Sequence, residues 1–437
     1  MIFRLTVMCN VSILKKIIVK IFPNRILQFL VNLKWRIYYS KQYNIYRSTI
    51  SKLKLKEKKT IVFMALFESV WKLDYLYRLF ERDSRFNPII LVCPIVNYGK
   101  ANMLKQMDAC YNRFKVDGYN VIKSYDYKTD SYIDLISDLS PDLIFYTNPY
   151  KGLIDDKYYI DRIEGLLSCY VPYYYGEGNL PVFVNQPVHN LCWKFFVESD
   201  YHKSFCEKNM YNKGKNVVVT GYPGVDYFLD SSYKPSDAIW KVDNSNLKRI
   251  IWAPHHTIFD SDMISYSCFL KYSDFMLEMA KKYEDKIQIA FKPHPILRNK
   301  LDTLWGKEKT DEYYSKWDSL KNTFLKDGDY IDLFLTSDAM IHDSGSFLIE
   351  YLYVNKPVMR TDNGQGNNEL NDFAIECLNY YYKAQSESDI ENFILDLIDG
   401  KDVLKESRTN FINNTLRPHG DKLPSENVYD YLCEQLL

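Results

Sequence analysis

Continuous apolar runs alternate with stretches of helical spacing along most of this chain. "TIVFMALF" (60–67) and "FNPIILVCPI" (86–95) have strand length and no internal polar alternation. Helical patterns follow each of them, through about residue 81 and from about 100 to 120. "NVIKSYD" reads as a third strand, and "YIDLISDLSPDLIFYTNPY" (132–150) as a helix, a Ser-Pro-Asp break and a strand at 143–147. The second half repeats the rhythm with "NVVVTGYPGVDYF" (216–228), "RIIWAPHHT" (249–257), "KIQIAFKPHP" (286–295), "DAMIHDSGS" (338–346) and "KPVMRT" (356–361). Strands that are apolar on both faces and separated by helices predict parallel sheets covered on each side, an α/β fold. Two successive series predict two Rossmann-like domains, 59–213 and 214–400, joined near 213–216. The last helical stretches, 401–437, are expected to pack back on one of them. A chain of 437 residues is long enough for two such cores.

Charge changes the picture only at the N-terminus. Formal net charge is zero, yet residues 1–58 hold thirteen Lys and Arg against one acid, Glu57. The stretch "SILKKIIVKIFPNRILQFLVNLKWRIYYSK" keeps helical apolar spacing but is broken by charge too often to span a bilayer, and it lacks a cleavable signal. Such a basic amphipathic segment suits the surface of an anionic membrane. A solvated first helix gives the same pattern. The nine scattered cysteines contain no CxxC pair, so neither a disulfide framework nor a zinc site is expected, and a reducing cytoplasm is the simplest compartment. Basic residues confined to one end, with no stacking motif, argue against a nucleic-acid partner.

No GxGxxG fingerprint and no P-loop follow any strand, which removes support for ordinary NAD binding and P-loop chemistry. In an open parallel sheet, ligands bind beyond the carboxyl ends of the strands. Four loops of the second half lie there. One carries Gly221, Pro223 and Asp226; the next carries His255 and His256. "FKPHPILRNK" (291–300) sets Lys292 and His294 on a backbone stiffened by two prolines, with Arg298 within reach. Cationic and imidazole donors on a rigid turn suit a diphosphate, although the same charges would be satisfied by solvent. In "IHDSGSFLIEYL" (341–352), Asp343, Ser344, Gly345 and Ser346 precede an apolar helical run. Exposed N–H groups at a helix start attract phosphate, and Glu350, one turn further on, has the reach of a ribose. An ordinary N-cap by Ser344 or Ser346 accounts for the same residues.

Taken together, "TGYPGVDYF", "APHHT", "FKPHP" and "SDAMIHDSGSFLIEYLYVNKPVM" resemble, in order and spacing, the CDP-glycerol glycerophosphotransferase family, the teichoic-acid primases, polymerases and their relatives. The resemblance covers roughly residues 140–435. It implies a GT-B fold with the active site between two Rossmann-like domains, no metal and no separate cofactor. It further implies a nucleotide-activated donor, CDP-linked by preference, and a lipid-linked glycan acceptor at the inner face of the cell membrane. By position it places His294 on the donor's phosphates, Gly345 and Ser346 at the helix start, and Glu350 on the ribose. Two positions depart from the family. Gly224 stands where it has an arginine before Asp226. The histidine of its Trp-His-Gly-Thr motif, the catalytic base, is replaced in "VPYYYGEGN" (171–179), where Tyr175 takes the histidine slot and Glu177 the threonine slot. An unperturbed tyrosine, with a pKa near 10, is a poor base. The base is therefore sought among Glu177, Tyr175, His255 and His256. The reading is a transferase that moves a polyol phosphate or a sugar onto a surface polymer. The alternatives are a non-catalytic nucleotide-binding partner of a membrane synthesis complex and a nucleotide-sugar epimerase.

Overall fold

The computed structural model describes residues 24–437 apart from 68–70, 98, 149, 164, 245, 263 and 419. The basic stretch before residue 24 lies outside the described residues.

The predicted α/β architecture is present. The first domain is a seven-stranded parallel sheet built from β1 (Lys59–Ala65), β2 (Phe86–Val92), β3 (Val121–Lys123), β6 (Leu143–Tyr146), β7 (Leu167–Tyr170), β8 (Lys194–Val197) and β9 (Val217–Val219), in the order β3-β2-β1-β6-β7-β8-β9. The short β4 (Tyr125–Asp126) and β5 (Ser131–Tyr132) form a separate antiparallel ribbon. The second domain is a six-stranded parallel sheet of β10 (Lys248–Ala253), β11 (Ile287–Phe291), β12 (Thr323–Leu325), β13 (Ala339–His342), β14 (Val358–Thr361) and β15 (Tyr382–Ala384), ordered β12-β11-β10-β13-β14-β15. Apolar side chains cover both faces of each sheet. Phe63, Phe145 and Cys169 fill one face of the first and Val62, Ile144 and Tyr170 the other. This is why the central strands read as unbroken apolar runs rather than as alternation.

Three expectations need correction. The helix expected after residue 132 is a single π turn, Leu135–Leu139, because Ser140 adopts φ 46° and ends it. The strands β7 and β8 went unread, since four residues inside an aromatic-rich stretch give no period. The junction also shifts. Residues 217–219 pair with Phe195, Phe196 and Val197, so the strand placed at the head of the second domain is the edge strand of the first. The chain crosses over at Gly221, not at 213–216.

The ends of the described chain return to the first domain. Helix α1 (Asn24–Leu53) buries Tyr39, Gln42, Tyr46 and Leu53. Tyr46 donates to the Leu191 carbonyl at 2.6 Å, and Trp35 stacks on Tyr211. The segment read as a membrane-surface leader is therefore half structural. Helix α2 (Asp74–Arg82) packs against the last helix, and Phe80 meets Tyr429 at 5.2 Å between ring centroids. Of the residues expected to pack back, those around Arg408 and Leu416 stay on the second domain, where Tyr353 donates to the Leu416 carbonyl. The final helix instead places Val428, Leu432 and Leu436 in the first core. No helix among the described residues is long and apolar enough to cross a membrane.

Candidate active site

The loops at the carboxyl ends of β10, β11, β13 and β14 lie side by side because those strands are neighbours in the sheet. They face one loop of the first domain, residues 172–179, which follows β7. Two buried side chains set that loop's shape. Glu198 accepts from the Gly176 N–H at 2.9 Å, and His202 bonds the Gly176 carbonyl through Nε2 at 2.8 Å. The second domain then clamps it. Asn371 donates from its backbone to the Glu177 carbonyl at 2.8 Å and from Nδ2 to the Gly176 carbonyl, while Asn179 N–H reaches the Glu369 carbonyl at 3.0 Å.

This clamp decides between the two residues of the altered motif. Tyr175 is buried, its ring parallel to Phe373 and edge-on to Tyr222 and His202. Burial holds its hydroxyl well above the ordinary tyrosine range, so it is a core residue and not a base. Glu177 points the other way, into the cleft. A Cβ on Gly345 would sit 2.6 Å from its Oε1, which places the carboxylate directly against the loop after β13. Its Oε2 is buried with no hydrogen-bond partner. Burial, reinforced by Glu198 and Glu350, pushes its pKa up to about 7.

Asp343 turns out to be a brace. Its carboxylate accepts the backbone N–H of His255 at 2.5 Å and of Cys268 at 2.6 Å, tying the loops after β10 and β13 together, and burial pushes its pKa up to about 6. Ser344 donates its N–H to Nδ1 of His342 at 3.1 Å. Gly345 and Ser346 lead into the short helix α4 of this loop, Ser346–Glu350, once α3 (Leu297–Trp305) has closed the loop after β11. Glu350 is buried, and its Oε2 is already engaged, by the Tyr330 hydroxyl and by Lys72 from the first domain, whose Nζ lies 3.9 Å away.

The rings of His255, His256 and His294 cluster beside this loop, with potential ligand nitrogens within 4.8 Å of one another. Metal-binding imidazoles normally donate their second N–H to an acceptor. Here the pattern is reversed. His294 Nδ1 accepts the Ile296 N–H at 3.2 Å, which leaves its proton on Nε2. Thr257 Oγ1 accepts the N–H groups of Tyr266 and Ser267, so its own proton goes to His255 Nδ1, at 3.0 Å, and Nε2 is again the protonated nitrogen. Burial holds all three rings neutral, His294 down at about 3. His255 and His294 are thus imidazole N–H donors, as an oxyanion requires, and neither is in the state of a general base freed for the cleft, while His256 Nδ1 is buried without a hydrogen-bond partner.

The remaining expected residues separate. Lys292 is buried and donates to the Gly328 carbonyl at 2.9 Å, facing Tyr330 rather than the histidines, and burial lowers its pKa to about 8. Arg298, on α3, is exposed and paired with Asp311 at 2.7 Å over the Tyr314 ring, away from the cleft, because that face of the helix points to solvent. Gly221 and Asp226 are at the crossover, not in the cleft. Gly221 has φ +85° and packs on Pro418 and Pro424, and Asp226 accepts from the Ser425 N–H while burial pushes its pKa up to about 8. Pro223 does line the cleft. Together with Lys72, Tyr75, Tyr119, Tyr227 and Tyr330 it borders an interdomain cavity of about 490 Å³ that opens beside Glu350.

Sequence reading passed over Lys72, Tyr330 and Arg360, which no motif marks. Arg360, next to last in β14, pairs with His342 and lies against the Tyr266 ring.

Residues 186–432, more than half of the chain, match the model of the family described as CDP-Glycerol:Poly(glycerophosphate) glycerophosphotransferase. No curated protein sequence matches. Among solved structures, the wall teichoic acid polymerase TagF is similar at 15% identity and TM-score 0.53, over 93% of this chain and 99% of that one. The UDP-GlcNAc 2-epimerase from Neisseria meningitidis bound to UDP-GlcNAc is similar at 14% identity and TM-score 0.53, over 86% and 100%. S. aureus MnaA with UDP follows at 16% identity and TM-score 0.52, over 87% and 98%. These likenesses establish the fold as GT-B: two parallel-sheet domains facing a cleft.

Proposed function

Since the chain belongs to the CDP-glycerol:poly(glycerophosphate) glycerophosphotransferase family, we propose that it transfers a polyol phosphate, glycerol phosphate by preference, from a CDP-linked donor to a hydroxyl of a lipid-linked surface polymer. The observation that carries the reading is Glu177. A carboxylate poised near neutrality, held by both domains and pressed against the loop after β13, takes the place of the family's histidine. The acceptor hydroxyl gives its proton to Glu177 as its oxygen attacks the donor's distal phosphorus. The bond from that phosphorus to the nucleotide breaks, and CMP leaves with the electron pair. His294 and His255, as neutral N–H donors, and the backbone N–H groups of Gly345 and Ser346 meet the phosphate charge, so the transfer draws on protein groups without a metal or a separate cofactor. Glu350, fixed by Tyr330, faces the ribose. The aromatic interdomain cavity has the size and lining for the growing end of the acceptor.

The test is CMP release from CDP-glycerol in the presence of a lipid-linked acceptor, against CDP-ribitol, UDP-sugar and GDP-sugar donors. Acceptor-dependent CMP release supports the proposal. Release from a UDP or GDP donor alone moves the assignment to a sugar transferase, and conversion of free UDP-sugar without acceptor moves it to an epimerase.

We place the protein peripherally on the inner membrane face through α1. Its docked face is separate from an exposed apolar set, Phe29, Leu30, Leu33 and Ile37, flanked by exposed Lys34, Arg36 and Lys41. Aromatic and aliphatic anchors beside basic residues favour an anionic interface. Phe29→Asp with Leu33→Asp is expected to abolish flotation with anionic liposomes while leaving nucleotide binding intact. Flotation that persists removes α1 from the role. Deleting the whole segment is the wrong test, because it strips Tyr46 and Leu53 from the first core.

A further inference from the structure

Two buried polar groups in the cleft lack hydrogen-bond partners. Arg360 is 3% exposed, yet its Nε and Nη1 have no hydrogen-bond acceptor, and no ion pair reaches it among the described residues. Glu177 Oε2 is likewise buried without a donor. Both border one ring. A Cβ on Gly345 would lie 2.6 Å from Glu177 Oε1 and 3.0 Å from Cε2 of Tyr266, and a Cβ on Gly366 would lie 3.1 Å from Cδ1 of the same ring and 3.2 Å from Arg360 Nη2. The Tyr266 ring therefore lies between carboxylate and guanidinium, with Gly345 packed at one edge beside Glu177 and Gly366 at the other beside Arg360, where any side chain would collide with them. The acids nearest Arg360 act on it through space without bonding it: Arg360 lowers the pKa of both Asp343 and Glu177, but Asp343 spends its oxygens on the His255 and Cys268 N–H groups and Glu177 Oε2 accepts from no donor.

A buried guanidinium without an anion is costly, and its five fixed donors match phosphate oxygens. We propose that Arg360 binds the phosphoryl group in transit, the donor's distal phosphate, opposite Glu177. The inference rests on the transferase reading above and adds a catalytic residue to it. In the reaction, the acceptor oxygen forms a bond to that phosphorus and the bond to the CMP oxygen breaks. Glu177 takes the acceptor proton, and Arg360 meets the non-bridging oxygens as charge builds on them. The ligand it recognises is the esterified distal phosphate of a nucleoside diphosphate, not a nucleoside monophosphate.

Calorimetric titration of the full chain with CMP and with CDP-glycerol separates the possibilities, using wild type, Arg360→Met and Arg360→Lys alongside CMP-release assays and thermal melting. The expected result for Arg360→Met has four parts. CDP-glycerol binding weakens at least about tenfold, CMP binding is unchanged, CMP release falls about 10²–10³-fold, and melting is no lower than wild type, since an unpaired buried charge has gone. Arg360→Lys recovers part of the release. Equal loss of CMP and CDP-glycerol binding, or unchanged CDP-glycerol binding, overturns the assignment. Wild type that binds no CDP-glycerol overturns the transferase reading itself, and is told apart by failing before any variant is made.

Discussion

Replacing Glu177 by Gln is expected to slow transfer by about 10²–10⁴-fold while leaving donor binding in place. The amide keeps the size of the side chain and its contacts with Gly345, but it cannot accept a proton. The pH dependence supplies a second signature. Burial pushes Glu177 up to about 7, so below that pH the group is protonated and cannot act as a base. The sign follows: kcat/KM of the wild type rises as pH increases through about 7, and the residual rate of Glu177→Gln lacks that limb. Measuring CMP release from about pH 5 to 9 checks both points. A variant with the same limb and near-normal rate would return the base to another group. Tyr175 would not be it, for its hydroxyl is enclosed by Phe373, Tyr222 and Tyr353. A neutral His255 whose protonated nitrogen faces the cleft would have to change tautomer first.

The second large effect is on stability. Glu350→Ala is expected to cost about 3–5 kcal/mol of unfolding free energy, because it leaves Lys72 in a buried site with its carboxylate removed. Lys72 and Glu350 have side chains only 10% and 2% exposed, and Tyr330 bridges them across the domain interface. Denaturant titration measures the loss. The coupled change Lys72→Met with Glu350→Leu is expected to recover most of it, since the charge and its partner leave together. A single Glu350→Ala that unfolds like wild type would show that Lys72 does not depend on this carboxylate. The consequence for binding studies is direct. A loss of nucleotide affinity in Glu350→Ala mixes the proposed ribose contact with domain loosening, whereas the double variant Lys72→Met with Glu350→Leu removes the carboxylate without leaving an unpaired lysine and isolates the ribose.

The fold was legible where strands are long and apolar, as at 60–65, 86–92 and 287–291. It was not legible at β7 and β8, where four residues carry no period; β9 was read as a strand but given to the wrong domain, because only its neighbour β8 places it. That is also why the crossover was placed one strand too early. In the site, the loops after β11 and β13 stood out because proline and small residues punctuate them. Their members nevertheless divided once packed. His294 and Gly345 face the cleft, Asp343 became a brace, and Arg298 turned to solvent. A family slot pointed to both Tyr175 and Glu177, and only the clamp by Asn371, Glu198 and His202 separates a core ring from a cleft carboxylate. Lys72, Tyr330 and Arg360 belong to no motif. Their roles arise from which strands lie side by side and which domains meet, information that no local pattern holds.

The chain leaves the first domain at Gly221 and returns to it at Pro424, and these two points touch: a Cβ on Gly221 would be 2.9 Å from the Pro424 ring. In topological terms the second domain is a cassette spliced into a host domain that owns both the residues before it and those after it. Its two seams are one side chain apart. That cassette could be exchanged between relatives without re-threading the first domain, and the pivot for any opening of the cleft has to run through that single doubled seam.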